Sequence, residues 1–260
     1  YIEPRAFILM RASFGLLAFI IIHALFIKEK VDKKDFKRLI LCGLFGVVTN
    51  QLMFFEGLKR TTQINASLLA TTIPISVLIF SYFLTKEKVT KQKLLGIGLG
   101  IVGAVLLITY GKKIAYNSDG MIGDLMVFIN AASYGLYLVL AKTLMAKYHP
   151  ITVLKWCFTF GCMFLIPFGW SDFVQIEWHT FTDYIWIAVF YVLLFTTVLA
   201  YLLNNFALKN VNASVVGFYV YLQPLFATII ALILGRDMLT IWKVAAGILI
   251  FTGVYFVSKK

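Results

Sequence analysis

Two ionisable residues lie inside long apolar stretches of the sequence. Arg11 follows the start of the run 4–27 by about two helical turns, and Glu56 lies near the end of the run 39–58. At about 1.5 Å per residue, Arg11 would lie roughly 10 Å along a helix. A cation at that depth is costly unless it is paired, hydrated or snorkelling. We interpret Arg11 either as an anchor for an anionic substrate group or as a tie between helices, with Glu56 as its expected partner.

Glu56 permits two further interpretations. A carboxylate at this depth could bind and release a proton. It could equally be a surface group that is balanced by Lys59 and Arg60, which follow it closely. No other acid lies clearly within an apolar run, so the sequence does not indicate a chain of proton-carrying groups.

Uncharged polar side chains within the apolar runs form a second set of candidates. Amides and hydroxyls in hydrocarbon need hydrogen-bond partners, which can be substrate, water or a neighbouring helix. Both a substrate site and helix–helix bonding therefore remain open for each of them. The candidate substrate-binding residues are Asn50, Gln51, Thr71, Thr72, Asn130, Tyr134, Asn204, Tyr219, Tyr221 and Gln223.

Proline and glycine positions carry structural predictions. Pro74 and Pro224 each remove a helical N–H, so we expect a kink at both, which could be static or act as a hinge. The stretch from Gly98 to Gly103 matches GxGxxG, but it lies within an apolar run and lacks the context of a dinucleotide site. Gly96 and Gly100 instead suit close helix packing.

The sequence offers no catalytic or metal-binding pattern. The three cysteines, Cys42, Cys157 and Cys162, are dispersed in apolar runs, and the three histidines are scattered. We therefore expect packing roles for the cysteines, no metal, no cofactor and no catalytic residue.

The composition indicates the environment that surrounds these residues. Of 260 residues, 61% are apolar and only 14% are charged, and the mean hydropathy is +0.88. Soluble domains average roughly 45–50% apolar and about 25% charged residues. The composition predicts an all-α, polytopic transmembrane helix bundle surrounded by lipid. Nine runs are long enough to span a bilayer: 4–27, 39–58, 63–85, 94–110, 122–145, 151–170, 184–206, 211–234 and 241–257.

The net charge of +12 comes mainly from residues between these runs. Alternate loops that begin with 28–38 hold fifteen Lys and Arg residues, whereas the opposite loops hold seven. This bias predicts a cytoplasmic C-terminus, and we expect a bacterial inner membrane. The same distribution argues against a nucleic-acid partner. The sequence does not determine the oligomeric state.

The chain aligns with itself at a constant shift of 150 residues. Two repeats are predicted within a single membrane domain, over 1–113 and 121–260. Four runs in the first repeat and five in the second predict opposite orientations, with a further helix expected before Tyr1. Such inverted repeats are typical of secondary transporters. Matched pairs at this shift are Pro74 and Pro224, Lys86-Glu87 and Arg236-Asp237, Thr90 and Thr240, Lys93 and Lys243, and Gly103 and Gly253.

The order and spacing of several short motifs resemble the EamA-type transporters of the drug/metabolite transporter superfamily. Asp237 departs from the glutamate usual there. The resemblance implies ten helices, a central cavity and transport of metabolites, often outward. The motifs are Ala66-Ser67-Leu68-Leu69, Pro74, Lys86-Glu87 and Gly96 to Gly103, then Gly123-Asp124-Leu125, Ala131-Ala132-Ser133-Tyr134, Ala213-Ser214, Leu222-Gln223-Pro224, Gly235-Arg236-Asp237 and Ala246-Gly247 to Gly253.

These observations together predict a secondary transporter. The expected partners are a small-molecule substrate, amino-acid-like or another small organic solute, and the lipid bilayer. Alternating access between the repeats would move the solute, in the direction of export. Two alternatives are a membrane enzyme, which would need a cluster of reactive groups at depth, and a transport-silent membrane scaffold.

Overall fold

The computed structural model describes residues 2–110, 118–235 and 238–258, and every regular element within those ranges is helical. The dipeptide Arg236-Asp237 and the basic pairs at 112–113 and 259–260 lie outside the described residues. Among the described residues, nine helices are long and apolar enough to cross a membrane. They are α1 (Pro4–Ile27), α2 (Lys33–Leu58), α3 (Gln63–Thr85), α4 (Lys91–Thr109), α5 (Gly120–Met145), α6 (Pro150–Val174), α7 (Asp183–Asn210), α8 (Ala213–Ile233) and α9 (Ile241–Ser258).

The prediction of an all-α bundle with nine spans is confirmed for the described residues, although some helix ends differ. α2 begins at Lys33 rather than at 39, and α6 ends at Val174 rather than at 170. Hydropathy marks only the part of a helix that lipid favours. A helix continues into charged sequence wherever its backbone hydrogen bonds continue, so its ends extend beyond the apolar run.

Contacts divide the chain into two compact units. Unit 1 contains Tyr1–Glu56 and Leu140–Val211, and unit 2 contains Gly57–Val139 and Asn212–Lys260. Each unit therefore combines segments from both predicted repeats. The repeat boundaries of 113 and 121 remain a prediction from sequence.

Unit 1 is built around the contact between α1 and α6. The Phe158 ring packs directly against Gly15. A Cβ on Gly15 would lie 2.7 Å from the ring atom Cδ1, so a larger residue would clash with the ring. Phe158 in turn meets Phe19 edge to face, with ring centroids 5.1 Å apart. Cys157 and Cys162 are buried and free, which agrees with the packing role predicted for them.

Charged and polar side chains join the segments at one end of unit 1. The buried Asp35 carboxylate accepts hydrogen bonds from Lys147 Nζ at 3.1 Å and from the Tyr148 hydroxyl at 2.9 Å. His149 precedes α6, and its Nδ1 accepts a hydrogen bond from the Ile151 N–H at 3.3 Å. Burial lowers the pKa of His149, and the nearby Lys209 lowers it further. The imidazole therefore stays neutral near pH 7 and can serve as this helix cap.

Unit 2 is built around the contact between α4 and α9, where small residues let the backbones approach. A Cβ on Gly96 would lie 2.8 Å from the Gly253 carbonyl oxygen, and a Cβ on Gly253 would lie 2.7 Å from that of Gly96. The Tyr221 ring packs against Gly100. Gly98, in contrast, faces open space, because a Cβ placed there would meet no atom within 4 Å. The packing role predicted for Gly96 and Gly100 is confirmed.

α3 and α8 are each interrupted shortly before a proline. The regular helix of α3 stops at Ala70 and resumes at Ile73, so Pro74 lies in a first turn where its missing N–H is tolerated. α8 changes to a 3₁₀ turn over Tyr219–Tyr221 before Pro224. The Tyr221 hydroxyl donates to the Thr71 carbonyl at 3.0 Å, so the two interruptions are joined by a direct hydrogen bond. Because both prolines lie in the first turn of a resumed helix, neither removes a hydrogen bond from a helix interior, and the kinks expected at Pro74 and Pro224 stay a prediction.

Candidate functional site

Three helices of unit 1 contain a π-helical segment. One, His23–Ile27, forms the end of α1, and the other two lie in mid-helix, at Leu44–Thr49 in α2 and Val192–Leu199 in α7. Residues 44–49 and 194–199 are related by the same shift of 150 that relates the two halves of the sequence. A π segment widens the helix and re-aims its side chains, and such segments are frequent at functional sites. The hydropathy pattern alone did not predict either of them.

One carbonyl in each of the two mid-helix π segments accepts a hydrogen bond from a side chain of another helix. The Tyr201 hydroxyl donates to the Gly46 carbonyl at 3.0 Å, and Arg11 Nη2 donates to the Thr196 carbonyl at 3.3 Å. Gly46 and Thr196 are also 150 positions apart. Backbone carbonyls at equivalent positions of α2 and α7 thus each accept a hydrogen bond from a side chain.

Arg11 contacts α7 and α2 through hydrogen bonds and an aromatic ring. Its Nε donates to Thr197 Oγ1 at 2.9 Å, and its guanidinium carbon lies 5.6 Å from the centroid of the Phe55 ring. Thr197 Oγ1 itself donates to the Val192 carbonyl at 3.2 Å, so its lone pair is turned toward Arg11. The guanidinium is therefore fixed by a hydroxyl, a carbonyl and an aromatic face.

The expected pairing of Arg11 with Glu56 is not the one in the structure. Glu56 Oε1 instead forms an ion pair with Arg5 Nε at 2.8 Å. Arg5 lies almost two turns before Arg11 on α1, at the end where α2 brings Glu56. The register between two helices decides which charges meet, and a hydropathy pattern does not define that register.

Gln51 completes a cluster of side chains around Arg11. It is 4% exposed and lies beside the Tyr201 hydroxyl, but within the described part of the chain neither its Nε2 nor its Oε1 makes a hydrogen bond of ordinary geometry. Gln51 and Phe55 are four residues apart and thus share a face of α2, and Tyr201 is a neighbour of both Gln51 and Arg11. We call Arg11, Gln51, Phe55, Thr197 and Tyr201 the Arg11 cluster. All five belong to unit 1.

Two members of this cluster, Arg11 and Gln51, were predicted from the sequence. Phe55, Thr197 and Tyr201 were missed, as was the Thr196 carbonyl. One signal was present: Thr196 and Thr197 are adjacent hydroxyl residues within the apolar run of α7. Tyr201 also aligns with Gln51 at the shift of 150.

Two other candidates belong to unit 1. Asn50 directly follows the π segment of α2 and is half-buried. Asn204 is also half-buried, on α7. Its neighbour Asn205 is buried and donates through Nδ2 to the Tyr201 carbonyl at 2.8 Å.

The remaining candidates belong to unit 2, where several are engaged by the backbone. The hydroxyls of Thr71 and Thr72 donate to the carbonyls of Leu68 and Leu69, each at 2.6 Å. Tyr221 is fully buried, and its hydroxyl donates to the Thr71 carbonyl. For these three residues the structure agrees with the alternative of bonding to helices.

Four more candidates of unit 2 differ in burial. Asn130 is buried and Tyr134 is half-buried, and the Tyr134 ring centroid lies 6.0 Å from that of Tyr137. Tyr219 is 50% exposed, and Gln223 is exposed. Neither Tyr219 nor Gln223 lines the cavity that unit 2 contains.

That cavity has a volume of about 280 Å³. Its two hydroxyl side chains are bonded to their own helices, since Ser67 donates to the Gln63 carbonyl and Thr228 to the Pro224 carbonyl. No charged residue lines it among the described residues. The lining consists of Gln63, Ile64, Ser67, Leu107, Ile108, Pro224, Ala227, Thr228 and Ala231.

Long apolar helices with polar groups at depth define a polytopic integral membrane protein. The sequence profile described as "EamA-like transporter family" matches residues 1–109 and 121–259. The chain belongs to the EamA-like transporter family, as its motifs predicted, and is a membrane transporter.

Individual relatives agree with this assignment. An uncharacterized transporter of Archaeoglobus fulgidus is 30% identical over 89% of this chain and 79% of its own length. The uncharacterized transporter YyaM of Bacillus subtilis is 26% identical over 94% of this chain and 82% of its own. A protein of known crystal structure, with 18% sequence identity, superposes with a TM-score of 0.81 over 99% of this chain and 89% of its own. That likeness shows the shared fold.

Proposed function

We propose that this chain is a secondary transporter that exports a small organic solute by alternating access. The observation that carries the proposal is the Arg11 cluster, which gathers a cation, a buried amide and two hydroxyls between helices of a membrane transporter. Polar groups are expensive in hydrocarbon, so a cluster whose cation is held by neutral groups indicates a place where a polar solute binds. The relatives named as transporters support the general class.

The helix irregularities support a mechanism with moving helices. Alternating access requires elements that adopt two arrangements around a binding site. The π segments of α2 and α7 and the interruptions of α3 and α8 are places where the regular helical hydrogen-bond ladder changes. We propose that these four places absorb the backbone changes of the transport cycle.

The proposed location is the bacterial inner membrane, with a cytoplasmic C-terminus. The support is the asymmetric distribution of Lys and Arg residues between alternate loops. With that orientation, the loop between α3 and α4 faces the cytoplasm and the loop between α8 and α9 faces the other side.

Counterflow in liposomes tests transport most directly. Purified protein is reconstituted into liposomes loaded with an unlabelled mixture of amino acids and small organic acids, and uptake of each labelled member is followed. We expect transient accumulation of at least one solute several-fold above protein-free liposomes. Heat-denatured protein serves as the matched control.

Two outcomes would contradict the proposal. Folded, monodisperse protein that exchanges none of the solutes would favour a transport-silent scaffold. Chemical conversion of a solute, detected by mass spectrometry, would favour a membrane enzyme.

A further inference from the structure

We propose that the Arg11 cluster binds the carboxylate of a small organic anion that carries an apolar group next to its charge. This inference deepens the proposed transport function and rests on it. It specifies the class of ligand and the side chains that would recognise it.

The first argument concerns charge. Arg5 and Arg11 lie on the same helix, and within the described ranges only Arg5 of the two has a carboxylate partner, Glu56. Among the described residues, the contacts of Arg11 are the Thr197 hydroxyl, the Thr196 carbonyl and the Phe55 ring. These contacts orient the guanidinium without neutralising it, so a full positive charge remains at membrane depth for a ligand to balance.

The second argument concerns hydrogen-bond donors. An arginine side chain has five N–H groups in a rigid planar fork. Two of them are used, by Thr197 and by the Thr196 carbonyl. The other three can meet a carboxylate, and a fork of parallel N–H groups fits the two oxygens of that group.

The third argument concerns Gln51. A buried amide without a partner costs free energy, and native proteins rarely leave both of its polar atoms unsatisfied. Gln51 is buried beside the Tyr201 hydroxyl, neither of its polar atoms makes a hydrogen bond of ordinary geometry among the described residues, and it shares a helix face with Phe55, over which Arg11 lies. A carboxylate at Arg11 would give the Gln51 Nε2 group a well-placed acceptor, and we assign that acceptor to the ligand.

The fourth argument concerns the apolar group. Phe55 lies beside the guanidinium and offers hydrocarbon surface next to the charge. A ligand with a ring or alkyl group adjacent to its carboxylate can place that group against the aromatic side chain while the charge meets Arg11. An inorganic anion would leave this surface uncovered.

Benzoate and benzamide are suitable probes because they have nearly the same shape and differ in charge. Each is titrated against purified protein in detergent, and binding is measured as the rise in the unfolding temperature. We expect benzoate to stabilise the wild-type protein at least tenfold more potently than benzamide. Equal potency of the two probes would overturn the proposal.

Two variants locate the binding. Arg11→Gln should abolish the preference for benzoate, whereas Arg5→Gln, which removes the paired arginine of the same helix, should retain it. If Arg11 is only a tie between helices, Arg11→Gln lowers the unfolding temperature but leaves the preference for benzoate unchanged. That result would contradict the proposal.

Gln51→Leu provides a test that does not depend on the folding of an arginine variant. Replacing this buried amide with an apolar group of similar size should leave the ligand-free protein as stable as before, or more so. Loss of a hydrogen bond to a charged group should weaken benzoate binding by about tenfold or more. Unchanged benzoate affinity in Gln51→Leu would remove Gln51 from the site.

The failures of the two proposals are distinguishable. Benzoate binding that depends on Arg11, together with no counterflow of any solute, would support the site and contradict transport. Counterflow of neutral and anionic solutes alike in both wild type and Arg11→Gln would support transport and contradict the anion site.

Discussion

At the scale of single residues, Tyr201 links α7 to α2, the two helices of unit 1 with a π segment in mid-helix. Its hydroxyl on α7 donates to the Gly46 carbonyl in the π segment of α2. Its own carbonyl accepts from Asn205. The phenol thus gives a backbone carbonyl within a membrane-spanning helix a hydrogen-bond donor, and an unsatisfied carbonyl in hydrocarbon would be costly.

Tyr201→Phe tests this link. The substitution keeps the ring, which packs edge to face on Phe158 at 5.0 Å, and removes only the hydroxyl. We expect the free energy of unfolding in detergent to fall by about 0.5–1.5 kcal/mol, the net contribution of one hydrogen bond. Tyr191→Phe is the matched control on the same helix, since Tyr191 is exposed and should tolerate the change. Equal effects of the two substitutions would contradict the role of the Tyr201 hydroxyl.

Some residues of the Arg11 cluster could be predicted from the sequence and others could not. Arg11 and Gln51 were identifiable because charge and amide are conspicuous in apolar sequence. The partner of Glu56 was not identifiable, because Arg5 and Arg11 lie less than two turns apart on α1. Only the register in which α1 and α2 pack decides which of them meets Glu56. Thr197 was missed because a threonine hydroxyl in a membrane helix usually bonds within its own helix. Tyr201 was missed because only the packing of α7 against α2 brings its hydroxyl to the Gly46 carbonyl.

At the scale of elements, the contact between α4 and α9 depends on glycines that face each other. Gly96 and Gly253 each lie against the carbonyl of the other, so the two backbones are as close as side chains permit. Without water to drive association inside a membrane, such packing supplies much of the attraction between helices.

Gly96→Ala and Gly98→Ala form a matched pair on α4. A methyl group on Gly96 would meet the Gly253 carbonyl, and such overpacking typically costs about 1–3 kcal/mol. A methyl group on Gly98 meets open space and should be neutral or stabilise the helix by about 0.5–1 kcal/mol. Unfolding in detergent measures both variants. If Gly98→Ala destabilised the protein as much as Gly96→Ala, the packing account would be wrong.

Hydropathy predicts the membrane-spanning helices but not the irregular segments within them. All nine spans were predictable because lipid requires long apolar helices. The π segments at 44–49 and 192–199 were not, because one extra residue per turn leaves the apolar character of a run unchanged. Tertiary hydrogen bonds such as those to Gly46 and Thr196 accompany these segments, and they become visible only once helices are packed.

At the scale of the whole molecule, the shift of 150 recurs in independent features. It relates Pro74 to Pro224 in sequence, the π segment of α2 to that of α7, and Tyr221 to its acceptor Thr71. The family profile also matches the chain twice. We propose that two copies of one module, inserted in opposite orientations, form the transporter.

Cysteine labelling tests this central claim. Val89 precedes α4 and Leu239 precedes α9 at the same shift of 150, and both are exposed. The native cysteines are buried, so Val89→Cys and Leu239→Cys can each be probed with a membrane-impermeant maleimide in intact cells. The account predicts that Leu239→Cys reacts in intact cells and that Val89→Cys reacts only after the membrane is permeabilised. Reaction of both positions from the same side would contradict it.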